Sequence, residues 1–104
     1  MASQLMTPEH KKKLIINRKV LIENIIVKYI RSDLLQENIF TKQELGDINA
    51  QQTEEEKVEE LLDILATKSD EAYSKFVEVL KKSGREHIAN VLESNNSIIK
   101  QSRN

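Results

Sequence analysis

From Thr7 onward the apolar residues recur every three or four positions, the period of a helix with one buried stripe rather than the alternation of a half-buried strand. Thr7-Pro8 opens the first helix, with a hydroxyl residue at the N-cap and a proline where its missing N–H costs nothing. Leu14, Leu21, Ile22, Ile25 and Ile26 follow at helical spacing, which predicts a helix from Pro8 to near Val27. Val27, Ile30 and Leu34 carry a second toward Glu37-Asn38, where Asn38 tolerates the left-handed conformation of a helix end. Thr41 and Glu44 have the spacing of a capping box, and Phe40 and Leu45 that of a hydrophobic staple, so a short third helix starts at Lys42. Thr53 and Glu56 repeat the box ahead of Val58, Leu61, Leu62 and Leu65, a fourth helix with one apolar stripe. Ser69-Asp70 caps a fifth in which Ala72, Phe76, Val79 and Leu80 share a face, and Gly84 supplies its stop. A sixth, from Arg85 to about Glu93, buries Ile88, Val91 and Leu92. The pattern predicts a compact six-helix bundle over residues 8–93, with residues 1–7 untethered and 94–104 a flexible tail or linker.

Composition narrows this further. A chain of 104 residues holds one domain. Two Gly and one Pro leave few positions for the tight turns of an all-β fold. With no Cys, a disulfide framework, a thiolate metal site and a cysteine nucleophile are all excluded. No apolar run approaches the roughly 20 residues that cross a bilayer, and the first residues lack the basic and apolar regions of a signal peptide. The expected location is cytoplasmic.

The net charge of −1 conceals a segregation. Residues 1–31 carry seven basic and two acidic groups, 32–63 two basic and ten acidic, and 64–104 seven basic and five acidic. Such a chain presents oppositely charged patches and is steered toward charged partners, copies of itself included. Ten acids in the middle repel phosphates, so a small helical nucleic-acid-binding domain using the Lys11-to-Lys19 face is the weaker reading, and the interleaved aromatics that stack bases are missing. An anionic membrane ranks no higher.

Chemistry is sparse. His10 and His87 lack the partner residues of a metal or acid–base site, and neither Gly lies in a phosphate-binding context, so no cofactor is expected. Glu54, Glu55, Glu56, Glu59, Glu60 and Asp63 could suggest paired carboxylates, but most sit in the first turns of the fourth helix, where negative charge complements the macrodipole. No constellation supports an enzyme.

Asn17-Arg18-Lys19-Val20-Leu21, Asp33-Leu34-Leu35-Gln36-Glu37-Asn38-Ile39-Phe40-Thr41, Thr53-Glu54-Glu55-Glu56-Lys57-Val58 and Leu61-Leu62-Asp63-Ile64-Leu65 together resemble the caspase recruitment domain of the death-fold superfamily. Asp70 to Phe76 and Leu80 to Leu92 extend the resemblance over essentially all of residues 8–93, and it is similar to initiator-caspase prodomains and their adaptors. The resemblance implies a six-helix antiparallel Greek-key bundle with a kinked first helix. It also implies no catalysis, and a homotypic function: binding another caspase recruitment domain to recruit or cluster an initiator caspase or its adaptor in apoptotic or inflammatory signalling. An adaptor, a scaffold or a domain-only regulator remains an alternative.

In the family's best-known pairing a basic surface on helices one and four of the caspase domain meets an acidic surface on helices two and three of its scaffold. Arg18 matches the basic position, and Asp33, Glu37, Glu44 and Asp47 fall on or near the acidic surface. The fourth helix departs from that pattern, with Glu55, Glu56, Glu59 and Glu60 where arginines would stand. One molecule is thus expected to carry both halves of a contact, Lys11, Lys12, Arg18 and Lys19 facing Asp33, Glu37, Glu44 and Asp47 of a neighbour. Repetition of that contact gives a helix or ring.

Overall fold

The computed structural model describes residues 5–93, and no strand occurs among the described residues. Seven helices follow in order: α1 (Pro8–Ile16), α2 (Arg18–Asn24), α3 (Val27–Gln36), α4 (Lys42–Asn49), α5 (Glu54–Leu65), α6 (Asp70–Lys82) and α7 (Glu86–Glu93). Six were expected. The additional one arises because the predicted first helix is divided at Asn17, which closes α1 and opens α2 with φ −98° and ψ 11°. Its Nδ2 donates to the Lys13 carbonyl at 2.9 Å, which also accepts the Asn17 backbone N–H at 3.0 Å. A side chain inserted into the helical ladder in this way bends the rod. The end of this helix also falls earlier than Val27. Ile25 and Ile26 are extended, with ψ 132° and 111°, the conformation that β-branched side chains favour.

Local signals set the other boundaries. Thr7 and Ser69 accept the N–H of His10 and Ala72, and both capping boxes, Thr41 with Glu44 and Thr53 with Glu56, are closed in both directions. Asn38 has φ 59° and Gly84 φ 84°. Each follows a Schellman pattern: Ile39 N–H reaches the Leu34 carbonyl at 3.1 Å, and Arg85 N–H the Leu80 carbonyl at 2.8 Å.

One apolar cluster fills the interior, and the Tyr73 phenol is the one hydroxyl side chain buried with it among the described residues. Leu21, Leu34, Ile48, Val58, Leu61, Phe76 and Leu80 are completely enclosed. Each large side chain of this kind favours the folded state by about 1.5–3 kcal/mol. Tyr73 and Val77 join the predicted face of α6, and α7 buries Ala89 beside Ile88 and Leu92 while Val91 is half-buried. In the packing, α5 lies against α2, α3 and α4, and α6 against α3 and α7, so α2 runs along the flank of α5 while the start of α1 meets α6.

The expectation of an untethered start fails at Met6 and Thr7. Met6 is buried in the core, with its N–H on the Lys68 carbonyl at 2.8 Å. Thr7 donates its N–H to Asp70 Oδ1 at 2.9 Å, so the segment is held by the start of α6. Residues 1–4 and the expected tail 94–104 lie outside the described residues.

Candidate docking surface

The basic residues predicted to dock lie on one arm. Lys11 and Lys12 are exposed on α1 and Lys19 on α2. Arg18, the first residue of α2, crosses to α5, where Nη1 donates to Asp63 Oδ1 at 3.2 Å. Between these cations stand Ile15 and Ile16, 69% and 67% exposed, with Val20 exposed beyond the bend. Sequence reading missed this aliphatic strip. The available signal was that Leu14 is the inward residue of α1, so its two successors are turned roughly 100° and 200° away from the core direction.

The predicted acidic surface divides into two kinds of carboxylate. Asp47 is exposed on α4, and Asp33 is half-buried on α3; neither has an ion-pair partner among the described residues. Glu37 instead accepts from Lys82 Nζ at 3.2 Å. Glu44 accepts from Lys68 Nζ at 2.9 Å and closes the α4 capping box through the Thr41 N–H. Partial burial pushes the Glu44 carboxyl up, but the hydrogen bonds from Lys68 and Thr41 outweigh it and hold the group below its ordinary value of 4.5. Glu37 and Glu44 therefore already have cations within the fold.

The second acidic face, on α5, divides too. Glu56 accepts from the backbone N–H of Gln52 and Thr53 at 3.2 and 3.3 Å, a capping role. Glu60 is half-buried. Glu55 and Glu59 point to the α1–α2 arm and line, with Ile15, Ile16, Arg18, Lys19, Ile22 and Glu23, an open cavity of about 490 Å³. Exposed isoleucines, unpaired charges and a concave floor together suit a protein-binding surface.

The histidines take other roles. His10 stacks on Tyr73, ring centroids 4.0 Å apart and planes within 5°, and its Nδ1 lies 2.7 Å from Asp70 Oδ1. Asp70 is held below its ordinary value of 3.8 by the Thr7 N–H first and His10 second. Tyr73 donates its hydroxyl to the Leu92 carbonyl at 3.0 Å, and burial, helped by the negative Glu93, pushes the phenol up to about 12. His87 is exposed. No group of three or more His, Asp or Glu side chains is placed to hold a metal among the described residues.

An all-helical bundle whose outer faces carry charges and aliphatic side chains has the makings of a protein-binding module. Compared with known families, the chain matches the caspase recruitment domain over residues 11–95, and it belongs to that family. Comparison with curated proteins gives no match. Membership implies homotypic protein–protein interaction in signalling, by a domain that binds and does not catalyse. No helix among the described residues is long and apolar enough to cross a membrane.

Proposed function

We propose that the domain, residues 8–93, docks on the caspase recruitment domain of an initiator caspase or its adaptor, and in the cytoplasm brings the attached effectors to high local concentration. The reading includes a six-helix antiparallel Greek key, α1 and α2 forming the two halves of one bent helix. What supports it most is the coincidence of family membership with charges that have no ion-pair partner among the described residues: exposed Lys11, Lys12 and Lys19 on the arm, half-buried Asp33 on α3 and exposed Asp47 on α4. Within the acidic surface Asp33 and Asp47 carry the contact, because Glu37 and Glu44 would have to leave Lys82 and Lys68 to join it. Repeated contacts of the basic arm on this surface build a helical oligomer.

Each exposed ion pair contributes only about 0.2–1 kcal/mol, so docking depends on several at once and weakens with salt. The test is titration of the chain with initiator-caspase and adaptor domains of the family. Reversing Lys11, Lys12 and Lys19 to Glu should weaken binding about tenfold or more, as should Asp33→Lys with Asp47→Lys. Duplex DNA should show no steep dependence on salt. Failure to bind any domain of the family, or binding indifferent to both reversals, refutes the reading.

A further inference from the structure

The cavity lined by α2 and α5 holds more negative charge than the fold neutralises. Arg18 is bound to Asp63, so Lys19 alone of its lining stands against Glu23, Glu55 and Glu59. None of these four has an ion-pair partner among the described residues. The lining is also ordered along the arm. Exposed Ile15 and Ile16 come first, at the end of α1, and Lys19 follows just past the bend. The carboxylates lie beyond, Glu23 near the far end of α2 and Glu55 in the first turn of α5, with Glu59 one turn on. An occupant that suits this surface is aliphatic at one end, cationic at the other and free of acidic groups.

One segment of the chain has that composition in that order. Residues 94–104, outside the described residues, contain two aliphatic side chains, Ile98 and Ile99, followed by Lys100 and Arg103, and no Asp or Glu. The segment also starts close by. Leu92 and Glu93, at the end of α7, line a second cavity together with His10 and Lys13 of α1. Lys13 stands three residues before Ile16, a spacing that makes side chains neighbours on one helix. The chain from Glu93 to Ile98 reaches at most about 17 Å, ample to pass from one cavity to the other. Ile16 to Glu23 is roughly 10 Å at about 1.5 Å per residue, a span that Ile99 to Arg103 covers when extended. We infer that residues 98–103 of this chain occupy the cavity, Ile98 and Ile99 against Ile15 and Ile16, and Lys100 and Arg103 among Glu23, Glu55 and Glu59. The contact is intramolecular, so it stands whether or not the arm docks on another domain. On the proposed function, a partner of the arm has first to displace the segment, which covers Lys19 and the aliphatic strip.

Because the chain has no Cys, Asn104→Cys gives the full 104-residue protein a single attachment point for a nitroxide spin label, read by amide NMR at low protein concentration. The expected result is a loss of amide signal deepest around Glu23, Glu55 and Glu59 and weakest in α6. Lys100→Glu with Arg103→Glu should restore those signals, and so should Glu55→Lys with Glu59→Lys. All four reversals in one chain should bring the loss back, since the charges then attract again. Ile98→Ser with Ile99→Ser should also restore the signals. In every variant the amide positions of α6 should stay unchanged, which separates a displaced segment from a lost fold. The inference is overturned by a loss deepest anywhere else in the bundle, by indifference to the reversals, or by a fourfold variant that does not recover the contact. A loss seen only when an isotope-labelled chain is mixed with a spin-labelled one assigns the segment to a second copy and overturns it as well. Each of these outcomes leaves the proposed function standing, since that reading fails only in the titrations against other domains of the family.

Discussion

Where the first turn of α6 meets the last turn of α7 and the start of α1, Tyr73 gives its hydroxyl to the Leu92 carbonyl, His10 stacks against the phenol ring, and Asp70 gathers Thr7 and His10 around one carboxylate. Along the α1–α2 arm, Ile15 and Ile16 stand mostly in solvent, and Lys19, Glu23, Glu55 and Glu59 lack a partner among the described residues. Both regions are places where helices from distant parts of the chain meet. The first closes its polar groups on one another and fastens the N-terminal segment and the last helix to the core. The second leaves apolar surface wet, a cost that folding does not recover and that docking of a partner would. On the proposed function, stability and binding fall to different sides of one small bundle.

Substitutions that break this division should differ in size by side. The largest effect is expected in the shared core: Phe76→Ala removes a fully enclosed ring and should cost about 3–5 kcal/mol in urea unfolding. On the fastened side, Tyr73→Phe leaves the Leu92 carbonyl without its donor and should cost about 1–3 kcal/mol by the same measurement. Thr53→Ala opens the α5 capping box and should cost about 1 kcal/mol, read as a lowered urea midpoint with unchanged slope. Ile15→Ser and Ile16→Ser should change stability by less than about 0.5 kcal/mol, because neither side chain is in the core. An Ile16→Ser variant as destabilised as Tyr73→Phe would erase the contrast.

Acid sharpens the same comparison. Glu44 and Asp70 have carboxyls held below their ordinary values of 4.5 and 3.8, so the unfolded chain takes up their protons first as pH falls. The stability they confer is complete above those ordinary values and is lost as pH drops through the lowered ones. Urea midpoints of the wild type should fall over that acid range, and Glu44→Gln should flatten the fall. An unaltered slope in Glu44→Gln would mean that the Lys68 and Thr41 bonds do not set the acid sensitivity.

Much of the fold was legible because its signals are short. Thr41 with Glu44 and Thr53 with Glu56 act over three residues, and Asn38 and Gly84 mark helix ends by a single backbone angle. The division at Asn17 was harder to read from periodicity, since Leu14 and Leu21 keep helical spacing across it; only the Asn17 amide returning to Lys13 bends the rod. Met6 was misread for a related reason. One apolar residue before the first cap has no period, and what holds its backbone is the Lys68 carbonyl, far along the chain.

The sequence by itself determined that the chain is helical, where most helices begin and end, and which residues face inward, because capping and amphipathic period act within a turn or two. Tertiary structure alone decided which charges remain available for binding. Lys68 lies 24 residues from Glu44 and Lys82 lies 45 from Glu37, so two of four acids predicted to dock are bound internally. The packing of the arm on α5, in turn, left Ile15 and Ile16 beside Glu55 and Glu59. Ion pairing and surface exposure depend on which helices become neighbours, and that is settled only when the core closes.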